Sequence, residues 1–84
     1  MSVKIYSTTT CTSCHVLTQW LDQQKVAYDK VNTDEDAAAM VEFMTLNDGM
    51  ISVPFTVIKD DSGEITAKIS GYDQKQLKAA LNLG

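Results

Sequence analysis

The apolar run Val3-Lys4-Ile5-Tyr6 predicts a short strand at the start of the chain. The period then changes. From about Thr12 to Gln24, Cys14, Leu17 and Leu21 recur at helical spacing, joined by Val16 and Trp20. Val26 to Val31 predicts a second strand with Tyr28 as its aromatic member. Thr33 then offers a helix cap, with Asp34, Glu35 and Asp36 in the first turn, where the dipole favours acids. That helix runs through Ala37, Met40, Val41 and Met44 and stops near Asn47-Asp48-Gly49. Pro54 to Ile58 predicts a third strand, and proline is tolerated at its first position because it removes only one ladder donor. Lys59 to Gly63 carries turn residues, and Glu64 to Ile69 returns as a fourth strand. Asp73 to about Leu81 closes the chain as a helix, with Asp73 and Gln76 at capping-box spacing.

The order is therefore βαβαββα. Two parallel strands joined by a helix need a right-handed crossover, and the last two strands form an antiparallel hairpin. The expected architecture is α/β: one four-stranded mixed sheet flanked by three helices that cover both faces. Eighty-four residues make a single domain, 1–84. Net charge is −4, all seven cations are lysines, and no basic stripe is visible. Nucleic acid is not an expected partner, because neutralising phosphates needs clustered positive charge. No apolar run reaches membrane-spanning length and the N-terminus lacks a signal-peptide pattern, so the expectation is a cytoplasmic protein with no membrane partner.

Candidate chemistry concentrates at Cys11-Thr12-Ser13-Cys14, which holds the only two cysteines. In a reducing compartment such a pair reads as catalytic or metal-binding rather than as a structural staple. Strand, CxxC and helix in this order form a thioredoxin-like redox pattern. Cys11, at the helix start, is the expected nucleophile, because unpaired N–H groups and the macrodipole there favour a thiolate. Cys14, one turn inside, is the expected resolving thiol. The Thr12 and Ser13 hydroxyls either bond the thiolate or simply cap the helix. Adding His15 gives a C-x-x-C-H haem pattern, but the strand signals and the absent export signal oppose that reading. A zinc site needs four ligands, and two cysteines with one histidine fall short without a carboxylate; no bound metal or cofactor is expected. Pro54 is the only proline. Local sequence favours a trans Val53–Pro54 bond that starts an edge strand.

Taken together, Ile5-Tyr6, Cys11-x-x-Cys14-His15, Ser52-Val53-Pro54 and Gly71-Tyr72-Asp73 resemble the glutaredoxin family of the thioredoxin fold, over nearly the whole chain. The resemblance implies a monomeric thiol–disulfide oxidoreductase. It makes Val53–Pro54 cis, reversing the local expectation. It implies a glutathione groove drawn from Thr12, Val53, Pro54, Gly71, Tyr72 and Asp73, with glutathione as co-substrate. Val53 would meet the peptide backbone, and Asp73 with its helix N-terminus the γ-glutamyl end.

Three departures stand out. Thr12-Ser13 replaces the common Pro-aromatic pair between the cysteines, Ser7 to Thr10 lacks the lysine that many glutaredoxins place before the first cysteine, and Ser70-Gly71 replaces Gly-Gly. The Ser-Gly-aromatic turn is more like the redoxins that serve ribonucleotide reductase and are recharged by thioredoxin reductase. Expected partners are thus disulfide-containing proteins, with glutathione or thioredoxin reductase as electron donor. An iron–sulfur or metal carrier is a further alternative, since some family members bridge a cluster through the first cysteine. Among the other apolar residues, Phe43, Met40 and Met44 are expected in the core, and Tyr6 packed. Met50 and Ile51 line the groove or close the core. Tyr72 rims the groove or covers the core. Asp60-Asp61 marks the hairpin tip.

Overall fold

In the computed structural model, which describes residues 1–83, the elements are β1 (Ser2–Ser7), α1 (Thr12–Gln23), β2 (Asp29–Asn32), α2 (Ala37–Leu46), β3 (Phe55–Lys59), β4 (Ile65–Ser70) and α3 (Gln74–Leu81). Gly84, the last residue of the expected domain, lies outside the described residues. The strands form one sheet in the order β2-β1-β3-β4. β1 pairs parallel with β2 and antiparallel with β3, and β3 pairs antiparallel with β4. This is the expected thioredoxin-like βαβαββα arrangement.

Alternation along the central strands sorts the core into two layers. Val3 and Ile5 of β1 and Ile58 of β3 pack with Leu17, Trp20 and Leu21 of α1 and Leu77 and Leu81 of α3. Tyr6, Phe55 and Val57 face the other way and pack with Phe43 of α2. Tyr6 stacks on Phe43 with ring centroids 5.5 Å apart, and Phe55 lies 5.6 Å from Phe43. Tyr6 also donates its hydroxyl to Glu42, which Lys4 joins at 2.9 Å. Burial and the Glu42 carboxylate push the Tyr6 phenol well above its ordinary range, so it remains a neutral donor.

The helix boundaries differ from expectation at two places. Thr33 does not cap α2. Its N–H and hydroxyl both donate to the Ser7 carbonyl, at 2.9 and 3.1 Å, continuing the β1–β2 ladder into the buried layer. The cap is Asp36, whose carboxylate accepts the Ala39 N–H at 3.0 Å. β2 also starts later than Val26. Lys25 turns left-handed at φ 58°, the Val26 N–H bonds Leu21 O at 3.0 Å and the Lys25 N–H bonds Asp22 O at 3.1 Å. This is a Schellman closure of α1 with lysine where glycine is usual, and it commits Val26 to the helix end. Met44, expected in the core, is 41% exposed, and Met50 and Ile51 are exposed as well.

Replacing Phe43 by alanine removes the ring that both Tyr6 and Phe55 touch. It should destabilise the oxidised protein by about 3–5 kcal/mol, read from the urea midpoint. Thr56 is fully buried and its hydroxyl has no hydrogen-bond partner. Thr56→Val, of equal shape, should leave that midpoint unchanged or raise it.

Candidate active site

The antiparallel register pairs Tyr6 with Phe55 and Phe55 with Ser70, while the parallel register pairs Ser7 with Asn32. The ends of β1, β2 and β4 and the start of β3 therefore lie along one edge of the sheet. The loops carrying Cys11, Val53–Pro54 and Gly71 to Asp73 all open there.

Cys11 is reached through Thr8, Thr9 and Thr10. The Thr9 N–H bonds an Asp34 carboxylate oxygen and the Asn32 side chain donates to the Thr9 hydroxyl, both at 3.0 Å. Cys11 has extended backbone angles, φ −94° and ψ 103°, and its sulfur accepts the Cys14 N–H at 3.1 Å. Sulfur thus occupies the place that a serine or aspartate oxygen takes in an ordinary helix cap. The two cysteines form a disulfide with Cα atoms 5.3 Å apart, inside the normal range for such bridges. Cys11 is half-buried, whereas Cys14 is 1% exposed. The first turn of α1 holds no acid. Among the described residues, neither the Thr12 nor the Ser13 hydroxyl bonds the Cys11 sulfur.

The Val53–Pro54 bond is cis, as the resemblance implied. The Pro54 carbonyl accepts the Gly71 N–H at 2.8 Å, which ties the proline loop to the loop after β4. Gly71 sits at φ 77°, a left-handed conformation that side chains rarely adopt. Tyr72 meets Trp20 edge-on at 6.3 Å and packs against the first core layer, so it covers the core. Asp73 caps α3. One oxygen accepts the Gln76 N–H at 3.1 Å and the other accepts the Gln76 side-chain amide at 2.8 Å. These bonds, with Lys75 nearby, hold its carboxyl below the usual range.

A cavity of about 370 Å³ adjoins Cys11. It is open to solvent, and Thr8, Thr9, Thr10, Thr12, His15 and Lys30 of β2 line it with Cys11. Nothing in the local sequence marks Lys30 as a site residue. The signal was available only through register, because Lys30 pairs with Ile5 and so shares its side of the sheet. Among the described residues, no group of three or more metal-ligating side chains converges, and no helix is long and apolar enough to cross a membrane.

A CxxC disulfide at a helix start on this sheet defines a redox protein of the thioredoxin fold. The chain belongs to the glutaredoxin family: the Glutaredoxin family model matches residues 3–62, which include Cys11, Cys14, Val53 and Pro54. It is 29% identical over 59 residues to the glutaredoxin-like protein NrdH of Lactococcus lactis subsp. lactis (strain IL1403), covering 70% of this chain and 78% of that one. Its structure superposes on the glutaredoxin of Methanosarcina mazei Go1 with a TM-score of 0.78 at 26% identity, over 98% of this chain and 79% of that one. The thioredoxin-like protein BC3987, in a mutant form, gives 0.81 at 25% identity over 99% and 97% of the two chains. The protein is a glutaredoxin-like thiol–disulfide oxidoreductase acting on disulfide substrates.

The Asp73 carboxyl titrates lower in the folded chain than in the unfolded one. Its stabilising effect is therefore complete above the ordinary Asp range of about pH 4 and disappears as pH falls through the depressed folded value. Asp73→Ala should lower the urea midpoint near about pH 7 and differ much less from wild type near about pH 3. An equal loss at both would show that the carboxylate charge is not the source.

Proposed function

We propose that Cys11 is the attacking sulfur and Cys14 the resolving one, in a dithiol cycle that reduces protein disulfides and glutathione mixed disulfides. The observation that carries this assignment is the contrast between the two sulfurs: Cys11 is a half-buried helix cap and Cys14 is enclosed. In the reduced protein, the N–H groups of the first turn and the macrodipole favour negative charge on Cys11.

The Cys11 thiolate attacks one sulfur of the substrate disulfide. A bond forms to Cys11 Sγ, the substrate S–S bond breaks, and the departing thiolate takes a proton from solvent. Cys14 then loses its proton and attacks Cys11 Sγ. The mixed disulfide breaks, the second substrate thiol leaves, and the Cys11–Cys14 bridge forms. Two electrons and two protons have moved to the substrate. The disulfide of the structure is the end of this half-cycle. A sulfur as enclosed as Cys14 is out of reach of an external disulfide, so Cys14 acts on the mixed disulfide at Cys11 and not on the substrate directly.

The groove beside these sulfurs is drawn from Thr12, Val53, Gly71, Tyr72 and Asp73, with Pro54, itself fully buried, shaping it through its carbonyl. The bond from Gly71 to Pro54 supports its being one surface. Val53, just ahead of β3, would pair its backbone with an extended substrate, in the manner of strand addition. A second reading has a specific basis: the chain acts as an electron donor to ribonucleotide reductase, recharged by thioredoxin reductase. The likeness to a glutaredoxin-like NrdH, the missing lysine before Cys11 and the Ser70-Gly71-Tyr72 turn support it. We place the protein in the cytoplasm on the redox state that this chemistry requires.

Cys11→Ser should abolish disulfide reduction. Cys14→Ser should retain part of the activity on glutathione mixed disulfides, which glutathione itself can resolve. Both are read in NADPH-coupled assays, one with glutathione and glutathione reductase, the other with thioredoxin reductase alone. Turnover with glutathione supports the first reading, and turnover only with thioredoxin reductase supports the second. Full activity of Cys11→Ser would remove the assignment.

A further inference from the structure

We propose that the cavity beside Cys11 is a carboxylate-accepting subsite, in which Lys30 selects disulfides flanked by an acidic side chain. This rests on Cys11 being the attacking sulfur and names the substrate class of that same site.

Lys30 belongs to a row that crosses the sheet: it pairs with Ile5, Ile5 with Thr56, and Thr56 with Ile69. The inner members of the row are buried. β2 is an edge strand, so the lysine stem can lie along the sheet while its ammonium stays in water. That placement brings it to the wall of the cavity that Cys11 also lines.

The charge of Lys30 is uncommitted. It makes no ion pair among the described residues, where the carboxylate pairs are Met1 with Asp61 and Lys4 with Glu42. The acid that touches this segment, Asp34, has an oxygen engaged by the Thr9 N–H. The first turn of α1 adds no acid. In a chain of net charge −4, the cavity at the reactive sulfur is thus lined by a lysine, a histidine and four threonines beside Cys11, with no carboxylate among them. A volume of about 370 Å³ has room for a side chain carried next to the attacked cysteine. An ammonium paired with a carboxylate makes a charge-assisted hydrogen bond, and complementary charge raises the encounter rate. A basic neighbour would meet like charge.

The test uses reduced protein in single turnover with synthetic peptides. Each peptide carries one internal disulfide, and Glu, Gln or Lys stands next to one of its cysteines. At low salt the wild type should reduce the Glu peptide about three- to fivefold faster than the Gln peptide, the scale of an exposed ion pair, with the Lys peptide slowest. High salt should shrink the spread. Lys30→Gln should erase the order, Lys30→Glu should invert it, and Lys30→Arg should keep it. Equal rates on all three peptides in the wild type, or an order that survives Lys30→Gln, would overturn the subsite while leaving the dithiol assignment intact. Failure of the reduced wild type to reduce any peptide would overturn both.

Discussion

Pairing of β1 on both its edges is the constraint on which the site depends. Its parallel partner brings Asn32 beside Ser7, and its antiparallel partner brings Phe55 beside Tyr6. A slip of either register would send every side chain of that strand to the other face. The aromatic cluster opposes such a slip, because Tyr6 and Phe55 both contact Phe43 of α2 across the buried face. The Tyr6 hydroxyl fixes the same helix by donating to Glu42, and that bond is the largest cause of the lowered Glu42 carboxyl pKa. Packing on one face of the sheet thus sets the alignment of loops that carry chemistry on its edge.

The difference between the two sulfurs follows from backbone position. Cys11 stands outside the helical turn with extended angles, so its sulfur can fold back onto the Cys14 N–H while remaining reachable from solvent. Cys14 falls in register with Leu17 and Leu21, the buried stripe of α1. The same helical period that builds the core therefore places the second sulfur inside it. Two intervening residues suffice to give the pair unequal access, without any acid in that turn.

Much of this was legible in the chain. The period of α1, the hairpin residues and the CxxC motif were enough to give the order of elements and the reactive pair. The cis geometry of Val53–Pro54 was not legible locally, since isolated sequence favours trans; it followed from the likeness of several separated segments. Thr33 misled because its hydroxyl suits a cap, whereas the Ser7 carbonyl, distant in sequence, offers it a buried partner. The end of α1 carried no glycine to mark it, and Lys25 takes the left-handed position instead. The place of Lys30 was not visible because its neighbours in the cavity belong to the loop after β1 and the start of α1. Contacts between residues far apart in sequence account for Thr33 and Lys30, whereas the end of α1 is closed by local bonds that its sequence does not announce.

The charged groups flanking the reactive edge are not equivalent. The family likeness suggested Asp73 as the contact for the amino end of glutathione. In the structure both of its oxygens are engaged by Gln76, so it meets any ligand as part of the α3 cap. An ammonium group approaching it must share those oxygens with the helix. Lys30 has no such commitment among the described residues. Hydrogen bonds from a neutral amide leave the Asp73 charge in place, so Asp73 and Lys30 carry opposite charges on the two sides of the proposed groove. The proposed subsite would give an acidic chain a cation beside Cys11, a polarity that net charge alone conceals.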